Sequence, residues 1–160
     1  LFDMPANQID VIIHPQSIIH SMVEYIDGSV LSQMGASDMC TPIAYALGWP
    51  NRIKTPGDTL DFQTISKLEF HEPDFERFQS LKLAYACLEK GQWACAAFNA
   101  ANEVAVAAFL DGRIGFLDIL RINEETLEQT EKTELNDLNS VIEFDKLARD
   151  RAERYIHSLI

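Results

Sequence analysis

Positive charge is scarce in this chain. Thirteen Lys and Arg stand against 25 Asp and Glu, a net charge of −12, which disfavours nucleic acid and anionic membranes as partners because phosphate attraction needs clustered basic side chains. No run of 18 or more apolar residues occurs, and the N-terminus lacks a basic stretch followed by an apolar one. The sequence therefore predicts neither a transmembrane helix nor a signal peptide, and points to a soluble, cytoplasmic protein. Cysteine is sparse too: Cys40, Cys87 and Cys95 are odd in number and lack metal-type spacing. Buried free thiols are expected, and a disulfide framework is not. Nothing matches G-x-G-x-x-G, so a dinucleotide-binding fold is not expected within these residues. The opening Leu1-Phe2 has no initiator Met and predicts a chain cut from a longer protein.

What is present is ordinary globular material, 47% hydrophobic and 24% charged over 160 residues, enough for one domain or a small pair with a real core. The acidic residues concentrate from Glu124 to Asp150, where they read as the solvated face of helices.

The most informative stretch runs from His14 to Ala44. Ile18 to Ile26 and Ser29 to Met34 fit two strands, with Asp27-Gly28 between them as a two-residue turn that favours φ > 0. Counting outward pairs Ile26 with Ser29, Glu24 with Leu31, Met22 with Gln33 and His20 with Gly35 on one mixed face. Tyr25/Val30, Val23/Ser32 and Ser21/Met34 form the more apolar face, expected to be core. The loop 35–39 follows, then Thr41 as N-cap and Pro42 as first residue of a short helix to Leu47. Loops between a strand end and a helix start are common binding sites.

Ile9 to His14 reads as a further strand stopped by Pro15, for three strands in all, with the covering layer of their sheet largely absent. Residues 68–71 form an extended piece expected to tuck back on that sheet. Four helices are predicted after it. One is capped by Ser80 and ended by Gly91; an Ala-rich one runs from Ala94 to Leu110. A third covers Phe116 to Gln129, with Ile119, Ile122 and Leu127 inward. The fourth runs from about Lys146 to Leu159 behind Asp145 as N-cap, with Leu147, Ala148, Ala152, Tyr155 and Leu159 inward. The expected fold class is α+β: a small three-strand sheet piece in residues 1–47, a linker in 48–72, and a four-helix bundle in 73–160.

Among candidate site residues His20 ranks first. A histidine on a mixed strand face beside a loop can donate a proton, orient a hydrogen-bonded group or support a metal ligand, although a lone strand histidine is also a common structural residue. His14, before Pro15, reads as structural. Asn99 and Asn102-Glu103 read as caps at the mouth of the Ala-rich helix. His71 and His157 lack partners at metal spacing.

The string His14-Pro15-Gln16-Ser17, then His20-Ser21-Met22-Val23, Asp27-Gly28-Ser29-Val30, Asp38-Met39 and Thr41-Pro42-Ile43-Ala44 resembles the 1-deoxy-D-xylulose 5-phosphate reductoisomerase family. A second match covers Asn99 to Leu110, and the two occur in the family's order. The resemblance implies the C-terminal part of an NADPH- and Mg²⁺/Mn²⁺-dependent enzyme of isoprenoid precursor synthesis, inactive alone and with no cofactor bound to this part. It also implies a homodimer, and an N-terminal portion carrying the NADPH-binding domain and the metal- and phosphate-binding residues. No metal ligand is carried onto this chain. The family site lies beside the His20 strand, where His20 is expected to orient a metal-ligating carboxylate from that portion, and Met39 resembles the residue that packs near the nicotinamide. Ser37 and Cys40 depart from the family's usual Pro and Arg. The competing reading is a non-enzymatic module, exposed strand edges and an acidic helical bundle docking a partner.

Overall fold

A hairpin and five helices carry the chain. The computed structural model describes residues 4–159, so the chain's opening Leu1-Phe2 lies outside the described residues. The described residues form two compact units: those up to Asp10 together with those from Asp74 onward, and Val11–Pro73. A short 3-10 turn, Ala6–Gln8, belongs to the first.

In the Val11–Pro73 unit, β1 (Ile19–Glu24) and β2 (Val30–Met34) form a two-stranded antiparallel sheet. The turn between them has three residues, not the predicted two. Gly28 N donates to Tyr25 O and Tyr25 N to Ser29 O, each at 2.9 Å. Gly28 takes φ +80°, a conformation costly for any residue with a Cβ. Asp27 Oδ1 accepts from both the backbone N and the hydroxyl of Ser29. The extra turn residue moves the register by one: Val23 faces Leu31, Met22 faces Ser32 and Ser21 faces Gln33. Ile19 then faces Met34, which leaves His20 as the additional residue of a β-bulge. A single residue in a turn changes every pair beyond it.

The predicted third strand is absent. From Ile9 to His14 only Ile13 is bridged, to His71, through two backbone bonds of 2.9 Å. The segment around His71 thus pairs with Ile13 and not with the sheet. The face expected to be core is also open: Tyr25, Val23 and Val30 are 51%, 55% and 54% exposed. Helix α1 (Cys40–Gly48) starts before the predicted Thr41 cap. Asp38 does the capping work, its Oδ1 accepting from Cys40 N at 2.8 Å.

The other unit holds α2 (Gln79–Lys90), α3 (Gln92–Leu110), α4 (Asp118–Glu128) and α5 (Leu138–Leu159). Gly91, at φ +104°, ends α2 and begins α3. Helix α3 is the element against which the other three pack. Its length and apolar composition would let it cross a membrane, but Ala94, Ala97, Ala100, Ala101, Ala105 and Ala108 are all buried in the unit, as in a core helix. One cluster joins Ala94, Ala97 and Ala100 to Cys87, Leu127, Phe144 and Ala148. A second joins Ala101, Ala105 and Ala108 to Ile122, Ala152 and Ile156. Small side chains on α3 and α5 let the backbones approach closely, as the composition predicts. Of the three free thiols only Cys87 is fully buried, and that burial pushes its pKa up.

Helix α5 begins eight residues before the predicted start. Its N-terminus is closed by Asp137, whose Oδ1 accepts from Ser140 N at 2.7 Å while Ser140 Oγ accepts from Asp137 N at 3.1 Å. The Ser140 backbone N–H, helped by its hydroxyl, holds the Asp137 carboxyl below the ordinary aspartate range. The inward stripe is Phe144, Ala148, Ala152 and Ile156, whereas Leu147 and Leu159 are 49% and 43% exposed. Asp145 is an interior residue paired with Arg149, not a cap. Asp137→Ala is expected to cost about 0.5–2 kcal/mol of stability in thermal unfolding, with most of the loss restored by Asp137→Asn. Equal stability of all three proteins would contradict the cap.

Candidate functional site

The β-bulge and the loop that follows β2 frame a cleft of about 780 Å³ whose lining includes His20, Gln33, Asp38, Met39, Tyr45 and Arg52. Each wall has a local cause. The bulge takes His20 out of the regular strand alternation, and its Nδ1 lies 3.1 Å from Gln33 Oε1. Gln33 Nε2 donates to Met34 O at 3.3 Å. Asp38 is held by its bond to Cys40 N, and Gly57 presses on it from the other side: a Cβ at Gly57 would lie 2.7 Å from Asp38 Oδ2 and 2.9 Å from Cys40 Cβ. A glycine is required there by space alone. Beyond α1 the chain turns back, and the Arg52 guanidinium sits 4.1 Å from the centre of the Tyr45 ring, a cation–π contact. Met39 is 66% exposed and offers a soft apolar surface.

The two site residues proposed from sequence, His20 and Met39, therefore line the same cleft. Gln33, Tyr45 and Arg52 were not singled out as site residues. Gln33 had one visible signal, its place beside His20 on the predicted mixed face. Tyr45 and Arg52 had none, since only the turn after α1 brings Arg52 back over the helix.

The remaining candidates serve the fold. His14 Nδ1 donates to Glu69 O at 2.8 Å and its ring stacks on Phe70 with centroids 4.9 Å apart. Gln16 grips the same residue twice, Nε2 donating to Glu69 Oε2 and Oε1 accepting from Glu69 N. Two residues of the His14–Ser17 string thus clamp the segment around residue 69. Asn99, Asn102 and Glu103 are not caps, because α3 starts at Gln92 and places them in mid-helix. Asn123 Nδ2 donates to Asn102 Oδ1 at 3.2 Å, joining α4 to α3. Arg149 Nη2 donates to Glu103 Oε2 at 2.6 Å while its Nε donates to Asp145 Oδ2 at 2.7 Å, joining α5 to α3. That guanidinium, aided by Asn99, holds the Glu103 carboxyl below the ordinary range. His71 makes the bridge to Ile13, and His157 bonds the Glu153 carbonyl within α5.

Among the described residues no three His, Cys, Asp or Glu side chains group closely enough to hold a metal ion. Met39, Ala36 and Pro42 form the apolar part of the cleft lining.

The family whose sequence model is described as DXP reductoisomerase C-terminal domain matches residues 34–151. Among curated proteins, the 1-deoxy-D-xylulose 5-phosphate reductoisomerase of Rhodospirillum centenum is 57% identical over 98% of this chain and 39% of its own length. That of Actinobacillus pleuropneumoniae is 50% identical over 99% and 40%. The structure of the Zymomonas mobilis reductoisomerase in complex with NADPH superposes with a TM-score of 0.86 at 46% identity, covering 97% of this chain and 41% of that one. A DOX-P reductoisomerase in complex with NADPH, fosmidomycin and magnesium gives 0.88 at 42% identity, covering 99% and 41%. The chain spans about two fifths of the length of the curated relatives it matches.

Proposed function

This chain belongs to the DXP reductoisomerase family, and from that premise we propose that it forms the C-terminal part of an enzyme converting 1-deoxy-D-xylulose 5-phosphate to 2-C-methyl-D-erythritol 4-phosphate. The single observation that carries the reading is the cleft in which His20 and Met39 meet. In the whole protein NADPH supplies the hydride and a divalent metal the Lewis acidity. On this reading an N-terminal portion of the whole protein supplies the metal ligands and the phosphate-binding groups.

This chain's own residues do the rest of the work on their side of the cleft. Met39, exposed on the cleft wall, would offer a bound nicotinamide a polarisable apolar surface. His20, on the same wall, would hydrogen-bond a bound substrate through the ring nitrogen not engaged with Gln33. Asp38 and Gly57 lock the loop that carries Met39, and Arg52 holds Tyr45 as a side wall. The Val11–Pro73 unit, with the hairpin, α1 and the stretch 48–72 folded back on them, then belongs to the catalytic domain, and the helices from Asp74 onward form the C-terminal four-helix bundle. The exposed apolar faces of β1 and β2 are covered by neighbouring strands of the whole enzyme, which acts as a cytoplasmic homodimer.

The test is NADPH oxidation with 1-deoxy-D-xylulose 5-phosphate and Mg²⁺, by this chain alone and after mixing with a separately produced N-terminal portion. Oxidation in the mixture only is the expected result. Turnover by the chain alone would overturn the division of labour. A mixture that associates yet stays silent, with the chain instead holding an unrelated protein, would favour the docking-module reading.

A further inference from the structure

We propose that Gln33 is a positioning residue that sets the tautomer of His20, keeping the proton on Nδ1 and leaving Nε2 as a hydrogen-bond acceptor facing the cleft. The catalytic consequence rests on the reading of the cleft given above; the tautomer itself rests on this chain alone.

The two possible orientations of the Gln33 amide are not equivalent. With Nε2 donating to Met34 O at 3.3 Å, Oε1 is turned to His20 Nδ1 at 3.1 Å. Turning the amide over would set Oε1 against the Met34 carbonyl oxygen and lose that bond. Oε1 has lone pairs and no hydrogen, so the proton between it and the ring belongs to Nδ1. A neutral imidazole protonated at Nδ1 has its lone pair at Nε2, and which nitrogen carries the proton is set by the bond the other nitrogen makes. Among the described residues Nε2 makes no hydrogen bond of its own, while the ring lines the cleft. The bulge is what permits the arrangement. A regular strand would place residues 20 and 33 out of opposition, and the extra residue at His20 brings the ring to its partner. Gly35 lies beside the pair: a Cβ there would stand in ordinary contact with both, 3.9 Å from His20 Cε1 and 3.5 Å from Gln33 Nε2.

The chemical consequence is a restriction on what His20 can bind. A neutral ring of this tautomer accepts from a donor, such as a hydroxyl of a sugar-like substrate, and cannot donate to a carboxylate. Orientation of a metal-ligating carboxylate by His20, the role implied by resemblance alone, would need the charged imidazolium instead.

The experiment is nitrogen-15 NMR of the histidine rings in this chain at a pH where they are neutral, for the parent sequence, Gln33→Leu and Gln33→Glu. The leucine variant has no acceptor, and the glutamate variant keeps one at the same reach. The expected result is His20 protonated at Nδ1 in the parent and in Gln33→Glu, with the proton moved to Nε2 in Gln33→Leu. In the full-length enzyme Gln33→Leu is expected to lower kcat/KM by about 10- to 100-fold, the usual scale for removing a group that orients a ring. Gln33→Glu should recover part of that loss, and NADPH affinity should stay unchanged in both. A parent His20 protonated at Nε2, or a tautomer indifferent to Gln33→Leu, overturns the proposal whatever the kinetics. The expected tautomers combined with unaltered kcat/KM would overturn its catalytic half, and with it the placement of His20 in the working site.

Discussion

Ile122→Ala is expected to destabilise the helical unit by about 2–5 kcal/mol, toward the upper end of that range. Ile122 is 0% exposed and lies among Ala101, Ala105, Ala108, Ala152 and Ile156. Four of its five buried neighbours in that cluster are alanines. An alanine has no rotamer with which to fill a hole, so closure would need a helix to move or one of the partly buried side chains on the cluster, Val104, Ile114, Ile119 or Tyr155, to swing in. Close backbone approach, the feature that makes the alanine stripe useful, is therefore what makes the site unforgiving. Ile156→Ala should behave alike, being equally buried in the same cluster. Ile142→Ala is the matched control on α5, where a side chain 56% exposed should change stability by no more than about 0.5 kcal/mol. Urea unfolding followed by circular dichroism reads all three. A loss below about 1 kcal/mol for Ile122→Ala would mean that the helices repack freely, and the description of this core as tightly apposed would be wrong.

The second large effect concerns the cleft. In the full-length enzyme His20→Ala should lower kcat/KM by about 10- to 100-fold, and Met39→Ala should raise the Kd for NADPH by about tenfold, close to 1.4 kcal/mol. The two losses should differ in kind. Met39 is expected to act on cofactor affinity with a smaller effect on the substrate KM, while His20 should act on turnover with NADPH binding unchanged. Fluorescence titration of NADPH beside steady-state kinetics separates them. Unchanged catalytic efficiency for His20→Ala, or an unmoved Kd for Met39→Ala, would remove that residue from the site.

The sheet shows why legibility stopped where it did. Asp27-Gly28 correctly marked the turn, since a φ of +80° selects glycine through local sterics alone. Whether Ile26 counts as strand or turn is decided by a single backbone bond, Gly28 N to Tyr25 O, and composition does not report it. The register error that followed moved every cross-strand pair by one and hid the bulge at His20. The pairing of His20 with Gln33 was anticipated as a shared face but for the wrong geometric reason. Helix α5 failed differently. Val141 and Ile142 weaken the helical signal of its first turns, so Asp145 looked like the start; Phe144 packing inward, and Asp137 bonding Ser140, extend the helix upstream. The residue types of Asn99 and Asn102-Glu103 favour caps, whereas the partners of Asn102 and Glu103, Asn123 and Arg149, lie on other helices.

Features that depend on near neighbours are legible in the order of residues alone. That order set the place of the hairpin turn, the glycine break at Gly91, the alanine stripe of α3 and the ordered pair of strings that carries the family resemblance. Only the tertiary structure decided what depends on partners distant in the chain: the register and its bulge, the clamp of Glu69 by His14 and Gln16, the closing of Gly57 on Asp38, and the return of Arg52 to Tyr45 that completes the cleft. The physical reason is one of range. Steric and propensity terms act within a few residues and leave their mark in composition, while a hydrogen bond between residues 20 and 33, or 14 and 69, exists only once the intervening chain has chosen its path.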